Sequence, residues 1–252
     1  MNPAEREGFK PVPVVIPGAA PWKFALRCVV DLQLATIVRA LRPALAQLPP
    51  GVVLDVGAGQ SPWRGWLPAH CRYMGLDVAN AGDFGMAHGD DITYYDGKHI
   101  PFADQSFDAA LCIEVLEHAE DPEGLLAEIA RVLKPGATLL MTVPWSARRH
   151  HIPHDFHRFT SERLQSMLAA QGFGDVEVQE RGDDVGVIAN KLLVLAIRLL
   201  KSVSPKNFLL KLPFGFLFGA LAACMVALAH VSGALKLGGR EDPLGYFCSA
   251  RR

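Results

Sequence analysis

The stretch Val52-Val-Leu-Asp-Val-Gly-Ala-Gly-Gln-Ser61 decides the fold. Its aliphatic residues predict a strand that is buried on both faces, as the strands of parallel sheets are. Gly57 and Gly59 allow the backbone to turn tightly and to approach a ligand closely. Ser61 and Pro62 are typical of a helix start, with serine as the N-cap and proline in the first turn. A strand, a glycine loop and a helix N-terminus together predict a cradle for a small molecule.

A second apolar strand, over residues 73–78, carries Asp77 near its end. An acid at this place, about 20 residues after the glycines, can accept hydrogen bonds from the two hydroxyls of a ribose. Pro62 stands where a dinucleotide fingerprint needs its third glycine, so the pattern for binding a pyrophosphate is incomplete. Asp55 would repel a pyrophosphate but could accept bonds from the amine of a cationic ligand. The two acids therefore favour a nucleoside ligand without phosphates.

Six ordered blocks of the sequence follow the pattern of a known family. They are Leu54-Asp-Val-Gly-Ala-Gly59, Gly75-Leu-Asp77, Asp96-Gly-Lys-His-Ile-Pro-Phe102, Ser106-Phe-Asp108, Glu114-Val-Leu-Glu-His118 and Arg131-Val-Leu-Lys-Pro-Gly136. In these blocks the chain resembles class I S-adenosylmethionine-dependent methyltransferases of the Methyltransferase-11 type. The resemblance extends from about residue 50 to residue 181, and it leaves out the first 45 residues and residues 183–243.

The resemblance implies S-adenosyl-L-methionine as the cofactor and a set of residues that bind it. The set consists of Asp55, Gly57, Ala58 and Gly59 around the methionine moiety, Asp77 at the ribose, Val78, Asp96 and Gly97 at the adenine, and Ile113 and Glu114 near the sulfonium. The chain departs from many members of the family at Ser61, where they carry a third glycine, and this leaves the shape of the loop open. Asp77 and Asp96 also have a plainer interpretation, as residues that only cap a turn. Glu117 and His118 are predicted to be structural.

Strand and helix signals alternate from residue 52 to about residue 181. This alternation predicts an α/β fold, a doubly wound Rossmann-like sheet. The resemblance implies seven strands with an antiparallel last strand, which residues 244–250 would form. The expected organisation is an N-terminal arm and helix over 1–48, a methyltransferase core over 49–182, a basic hydrophobic helical insertion over 183–243 and the final strand over 244–252. Residues 22–47 are predicted to form one amphipathic helix.

Composition and charge limit the function. Half of the 252 residues are apolar, and the five scattered cysteines form no Cys-x-x-Cys pair, so we expect reduced thiols in a cytosolic compartment. No basic segment followed by an apolar run begins the chain, and no signal peptide is predicted. Residues 1–184 hold 24 acids and 16 bases, whereas residues 185–240 hold seven bases and no acid. The acidic main body argues against a nucleic-acid substrate.

The insertion is the second informative feature. Residues 212–235 carry no charge, and 24 such residues are long enough to span a bilayer. Before them Lys191, Arg198 and Lys201 lie on one face of an apolar helix, a pattern typical of helices at a membrane interface. The final strand must rejoin the sheet, so the insertion is predicted to be a helical hairpin, a monotopic helix or a soluble cap. Membrane contact through 185–240 and a hydrophobic lid or dimer interface are the alternatives, and the oligomeric state is open.

A histidine-rich loop over residues 144–160 follows the fifth strand, and such loops face the ligand in these sheets. His154, Asp155 and His157 are the candidate catalytic bases for a hydroxyl or amine acceptor. Asp155 and Arg158 could instead form a structural pair. No metal is predicted, because Pro153 breaks the helix that would align the histidines and no ligand outside the loop is evident.

The sequence therefore predicts a methyltransferase that uses S-adenosylmethionine at a membrane surface, on a small or lipid-linked acceptor. The expected location is cytoplasmic, either free or attached to the inner face of the membrane. The alternative is a soluble small-molecule methyltransferase whose insertion is a lid or a dimer interface. A binding or scaffold protein without activity is disfavoured by the intact set of Asp55, Asp77 and Asp96, and a nicotinamide-dependent reductase is disfavoured by Pro62.

Overall fold

The structure is a computed structural model that describes residues 10–16, 18, 20–201 and 205–252, with the backbone alone for 205–210. Most of the predicted arm, residues 1–9, 17 and 19, lies outside the described residues. So does the side chain of Lys206, one of the seven bases of the insertion.

Seven strands form one sheet. They are β1 (Gly51–Val56), β2 (Cys71–Val78), β3 (Ile92–Tyr95), β4 (Phe107–Ile113), β5 (Leu133–Pro144), β6 (Gly174–Arg181) and β7 (Gly245–Arg251). Their order across the sheet is β3-β2-β1-β4-β5-β7-β6, and β7 runs antiparallel to both β5 and β6. The predicted doubly wound sheet with an antiparallel last strand is confirmed. The strand order reverses next to β1, so the loops after β1 and β4 border the crevice where such sheets bind ligands.

The central strands are apolar because both faces of the sheet are covered. Leu54 and Val56 of β1 pack on one side, in a core shared with helix α3 (Pro122–Val132) and helix α4 (Ser161–Ala170). Val53 packs on the other side, against the buried leucines of helix α2 (Leu32–Ala46). Burying such side chains stabilises the fold by about 2 kcal/mol each. The central strands are thereby fixed, and so are the loops at their carboxyl ends.

The helix predicted over 22–47 is two helices, α1 (Pro21–Val30) and α2. Asp31 interrupts it with an extended ψ of 89°, and its carboxylate accepts a hydrogen bond from the backbone N–H of Leu34 at 3.1 Å. An aspartate at an N-cap satisfies an otherwise orphaned helix donor, which makes the break favourable. The amphipathic pattern alone predicted one continuous helix, because it does not include the preference of Asp31 for an N-cap.

The helix start predicted at Ser61 and Pro62 was wrong. Ser61 has a left-handed φ of 51°, whereas an N-cap residue needs an extended backbone. The chain continues as a single 3-10 turn, Arg64–Trp66, and the buried ring of Trp63 anchors it. By contrast, the helix predicted at Asp121 is present as α3, and the Asp121 side chain accepts from the N–H of Gly124 at 2.9 Å.

The insertion is an antiparallel helical hairpin of α5 (Asp184–Leu200) and α6 (Pro205–Leu235). Near its base, the hydroxyl of Ser232 donates to the carboxylate of Asp183 at 2.6 Å. At the other end of α5, a Cβ added at Gly215 would lie 2.6 Å from Leu200 Cδ2, so the helices nearly touch there. The hairpin returns the chain to β7, and this shape is compatible both with a membrane contact and with a soluble cap.

Candidate active site

The glycine loop connects the carboxyl end of β1 to the 3-10 turn Arg64–Trp66. The backbone N–H groups of Gly57 and Ala58 donate to the carbonyl of Leu76 at 2.8 and 3.0 Å, which ties the loop to β2. Gly57 has a φ of +72°, and a Cβ at this position would lie 2.3 Å from Val115 Cγ2. Glycine is therefore required here both by the backbone conformation and by the close approach of the loop after β4.

Asp77 fixes the far side of this loop. Its Oδ2 accepts from the N–H of Gly59 at 2.9 Å, and its Oδ1 accepts from the N–H of Val78 at 2.8 Å. Burial raises the pKa of this carboxyl, while the two backbone bonds oppose that shift. Each oxygen of an ionised carboxylate has a second lone pair, so the turn-capping role and a bond to a ribose hydroxyl are compatible.

Asp55 lies fully buried at the carboxyl end of β1, where the hydroxyl of Tyr73 donates to its Oδ2 at 2.8 Å. Burial raises the pKa of Asp55 to about 7, and the nearby charge of Asp77 adds to the shift. A carboxyl in this condition is stabilised in its ionised form by an approaching cation. The site therefore suits the ammonium group of an amino acid moiety.

Asp96 and Gly97 follow β3 at the same edge of the sheet. Asp96 Oδ1 accepts from the N–H groups of Lys98 and His99 at 2.8 and 2.9 Å, and these bonds hold its pKa below the ordinary value. These contacts support the interpretation of Asp96 as a residue that caps a turn. They use only one of its two carboxylate oxygens. A Cβ at Gly97 would lie 3.5 Å from Val78 Cγ1, which brings together two residues predicted at the adenine.

Glu114 follows the buried Ile113 at the end of β4 and has a left-handed φ of 56°. Its N–H donates to the carbonyl of Thr142 at 2.9 Å, and its Oε1 accepts from Arg181 Nη2 at 2.7 Å. A glutamate with a positive φ is unusual, and such strain persists only where neighbouring contacts fix it. Arg181 is the contact that fixes this side chain.

Sequence reasoning missed Arg181, which ends β6 outside the family blocks. Its guanidinium is buried and also donates to the carbonyls of Tyr246 and Val143 and to the hydroxyl of Thr36, at 3.0 to 3.1 Å. Burial lowers its pKa. The sequence offered one signal. Arg181 ends a strand just before the apolar insertion, and an arginine that is buried there needs a partner for its charge.

The histidine-rich loop after β5 lies over the turns that follow β2 and β4. The ring of Phe84 is 5.4 Å from the ring of His154 and 5.5 Å from that of His118, measured between centroids. His154 Nε2 is also 3.9 Å from the carboxylate of Asp83. The loop is thus placed at the carboxyl ends of the strands, on the same side as the glycine loop.

The three predicted bases of this loop differ in their surroundings. Asp155 forms two hydrogen bonds to Arg158, at 2.7 and 2.9 Å, and accepts from the N–H of His150 at 3.0 Å. These bonds outweigh its burial and hold the pKa of Asp155 well below its usual range, which supports the structural alternative. His157 stacks on Phe159 at 5.4 Å, whereas about a third of the His154 side chain is exposed.

Glu117 and His118 occupy the 3-10 turn Leu116–His118 after β4. Glu117 is completely buried, and among the described residues its two carboxyl oxygens have no hydrogen-bond partner. Burial, followed by the charge of Glu114, raises its pKa well above the usual value. His118 is also buried, which lowers its pKa to about 4 although its Nδ1 lies 2.6 Å from the carbonyl of His154.

The glycine loop, Asp55 and Asp77 at the carboxyl ends of β1 and β2, and the turn after β4 all lie within residues 54–141. Residues 54–141 match the family described as "Methyltransferase domain". Over this segment the chain contains a class I S-adenosylmethionine-dependent methyltransferase domain. Its sheet includes the residues of this match, β6 and β7, with the helical hairpin inserted between these last two strands.

Curated relatives match the methyltransferase domain over about a hundred residues. The chain is 34% identical over 117 residues to O-methyltransferase resE of Aspergillus sclerotiorum, covering 42% of this chain and 44% of that protein. It is 32% identical to tRNA (carboxymethyluridine(34)-5-O)-methyltransferase of Arabidopsis thaliana, over 42% of this chain and 27% of the relative. It is 39% identical to sterol 24-C-methyltransferase ERG6B of Gibberella zeae, over 34% and 26%. The chain matches less than half the length of each relative.

Solved structures share the fold of the methyltransferase domain. A methyltransferase from Archaeoglobus fulgidus has a TM-score of 0.53 at 15% identity, over 92% of this chain and all of that one. A methyltransferase from Mesorhizobium loti has a TM-score of 0.51 at 18% identity, over 88% and 100%. The [4+2]-cyclase SpnF has a TM-score of 0.52 at 20% identity, over 97% and 99%. Because one of these structures is titled a cyclase, the shared fold alone does not define the reaction.

Proposed function

We propose that the protein is an S-adenosylmethionine-dependent methyltransferase that acts at a membrane surface, on a small or lipid-linked acceptor. The observation that carries the methyl transfer is the grouping of Asp55, Asp77 and Glu114 at the carboxyl ends of β1, β2 and β4. Asp55 suits the ammonium group, Asp77 suits the ribose hydroxyls, and Glu114 is held in place beside them by Arg181.

The bound cofactor supplies a methyl group from its sulfonium by an in-line displacement, so that placing the acceptor is most of the catalysis. The loop over 145–160 forms the wall where an acceptor would lie. A hydroxyl or amine acceptor also loses a proton. His154 is the candidate base, because its side chain is about a third exposed, whereas Nε2 of His157 is buried. Asp155, paired with Arg158, fixes the shape of the loop.

The membrane part of the proposal rests on what we call the apolar face, the exposed apolar side chains of α1 and α6. These are Trp22, Leu26, Val29 and Val30 of α1 and Phe214, Phe216, Leu217, Leu221, Leu228, Val231 and Leu235 of α6. His230 Nε2 lies 2.8 Å from the carbonyl of Val29, which places the two helices side by side. Large exposed apolar surfaces mark sites that bind proteins or membranes.

Length and charge favour a membrane over a protein partner. Residues 211–235 of α6 are long and apolar enough to cross a bilayer. Their most apolar stretch of 18 residues has a mean hydropathy of 2.2, and 22% of that stretch is buried. The exposed side chains of Lys191 and Arg198 on α5, and of Lys236 and Arg240 after α6, provide positive charge. Basic residues near an anionic leaflet contribute about 1 kcal/mol each.

An apolar acceptor agrees with this surface. Among the relatives, the protein from Gibberella zeae is named a sterol methyltransferase, although others are named for smaller molecules or tRNA. A lipid-linked acceptor would reach the 145–160 loop from the membrane plane. The alternative, a soluble methyltransferase whose hairpin is a lid or dimer interface, differs in one measurable property, which is binding to lipid.

Liposome flotation of the full chain tests the membrane proposal. We expect the protein to float with anionic vesicles, and to remain bound at high salt because the apolar face enters the lipid. The variant Phe216→Ser/Leu217→Ser/Leu221→Ser should float much less, whereas the control Val15→Ser, outside the apolar face, should float like the wild type. A wild-type protein that stays in solution with every vesicle would overturn the membrane proposal and favour the soluble enzyme.

Calorimetry with S-adenosylhomocysteine tests the cofactor separately. We expect Asp77→Asn to weaken binding at least about tenfold, because a neutral amide loses the charge-assisted bonds to the ribose. Asp175→Asn, on the exposed start of β6, is the matched control. Equal binding by both variants and the wild type would contradict the assigned role of Asp77.

A further inference from the structure

Three side chains of the methyltransferase domain converge outside the proposed cofactor site. Glu117 and His118 come from the turn after β4, and His150 comes from the loop after β5. One potential ligand atom from each lies within 4.8 Å of the other two. Sequence reasoning found no ligand outside the histidine-rich loop, because nothing in the sequence places the turn after β4 against that loop.

The hydrogen bonds of the two histidines leave one nitrogen of each available as a ligand. His118 Nδ1 is 2.6 Å from the carbonyl of His154, and His150 Nδ1 is 3.1 Å from the carbonyl of Arg148. A carbonyl only accepts, so both Nδ1 atoms carry the proton, and in the neutral imidazoles both Nε2 atoms carry a lone pair. Histidines that bind metals are held in this way by a second group.

Glu117 supplies the third ligand atom, and its buried carboxyl lacks a hydrogen-bond partner among the described residues. Its carboxyl is completely buried, and Oε1 lies 3.6 Å from His118 Nε2, too far for a hydrogen bond. Within the described part of the chain both oxygens are unpaired. A buried carboxyl without a hydrogen-bond partner is costly, and a bound cation would remove that cost.

We infer that Glu117, His118 and His150 form a site for a divalent transition metal ion, with zinc as the best match. Two imidazoles and a carboxylate are a ligand set that zinc uses, at bonds of about 2.0–2.2 Å, so the three atoms would move closer when the ion binds. Phe84 covers the ring of His118, and Asp155 holds His150 through its N–H. The ion would fasten the 145–160 loop to the turn after β4.

This inference does not rest on the proposed methyl transfer, and its test does not use activity. Full-length protein is stripped with a chelator and titrated with Zn²⁺ by calorimetry, and with Co²⁺ by absorption. We expect one equivalent of Zn²⁺, and the visible bands of four-coordinate Co²⁺. Glu117→Gln and His150→Gln should each weaken the binding of Zn²⁺ more than about tenfold.

His157→Gln is the matched control, since it removes a histidine of the same loop that lies outside the cluster, and its affinity for Zn²⁺ should equal that of the wild type. Circular dichroism checks the fold of each variant. If Glu117→Gln does not fold, His150→Gln, a change at a less buried position, decides. Equal affinity in wild type, His150→Gln and His157→Gln, or no stoichiometric binding by the wild type, would overturn the inference.

Discussion

The guanidinium of Arg181 lies 2.7 Å from the carboxylate of Glu114, so the sixth strand holds a residue that follows the fourth. Glu114 has a left-handed backbone, and Arg181 is buried with four further acceptors around it. Replacing either residue by a neutral one would leave the charge of the other without its partner. The pair couples the cofactor edge of the sheet to its antiparallel end.

The first prediction concerns Arg181→Gln. Arg181 is buried and the Glu114 side chain is about a quarter exposed. Removing the guanidinium leaves this partly buried carboxylate without its partner and should cost about 3 kcal/mol of unfolding free energy, the lower end of the range for buried pairs. The exposed pair of Arg163 and Glu123 provides the control, because Arg163→Gln should cost less than about 1 kcal/mol. Urea denaturation of both variants measures the difference. Similar losses in the two variants would show that Arg181 contributes no more than a surface arginine.

The second prediction concerns the dependence of stability on pH. The pKa of Asp55 is raised from 3.8 to about 7 in the folded protein. Between these values the unfolded chain releases the proton and the folded chain retains it, so the contribution of Asp55 to stability falls as pH rises and is constant above about 7. Asp55→Asn mimics the protonated form and should gain about 4 kcal/mol on the wild type between about pH 4 and pH 8.

A difference between Asp55→Asn and the wild type that does not change with pH would contradict this account. Tyr73→Phe gives an internal check, because its hydroxyl donates to Asp55 and favours the ionised form. Removing that bond should move the pH window upward. Denaturation at a series of pH values, analysed as differences between variants, separates Asp55 from the other titrating groups.

A third prediction links the same carboxyl to the cofactor. An ammonium group binds the ionised form of Asp55, so the affinity for S-adenosylmethionine should fall as pH decreases below about 7, by up to about tenfold per pH unit. Isothermal titration calorimetry at several pH values measures this affinity. The affinity of Asp55→Asn should be low and should depend less on pH over this range.

The fourth prediction separates backbone strain from steric clash in the glycine loop. Gly57→Ala meets both, because φ is +72° and the added Cβ would lie 2.3 Å from Val115 Cγ2. Gly85→Ala meets only the first, with a φ of +79° and open space around its Cβ. The strain costs roughly 1–2 kcal/mol and overpacking adds about 1–3 kcal/mol. The melting temperature of Gly57→Ala should therefore be lower than that of Gly85→Ala. Adding Val115→Ala to Gly57→Ala should partly restore it.

The fifth prediction concerns the base. His154→Ala should lower turnover more than about tenfold with unchanged affinity for the cofactor, as expected for a group that only moves a proton. Its backbone carbonyl, which accepts from His118, stays in place in this variant. His157→Ala is the comparison within the same loop. Full activity of His154→Ala with an accepted substrate would remove His154 from the mechanism.

The sequence contained enough to predict the sheet, and Asp55, Asp77 and Glu114 lie at the carboxyl ends of its strands, where the cofactor site is proposed. Apolar runs bounded by glycine and acid define β1 and β2, and Asp121 is a strong local cap for α3. The failures occurred where a local signal competed with its surroundings. Asp31 capped a new helix inside an amphipathic pattern, and Ser61 took a left-handed conformation in which it cannot act as a cap.

Contacts between segments distant in the chain were beyond the sequence. Arg181 reaches Glu114 across 67 residues, and His118 reaches the carbonyl of His154 across 36. Periodicity describes which face of an element is buried, and it does not say which loop meets which. The partners of a buried charge or of a histidine nitrogen follow from the topology, and therefore appear only in the folded chain.

The place of β7 in the chain determines when the sheet can be completed during synthesis. Within the described residues, β6 pairs with β7 alone, and β7 is the last strand of the chain, after the whole helical hairpin. During synthesis β6 therefore waits as an unpaired edge until the hairpin has been made. Under the proposed membrane function, the apolar hairpin would therefore meet the lipid surface while the nascent sheet is still open.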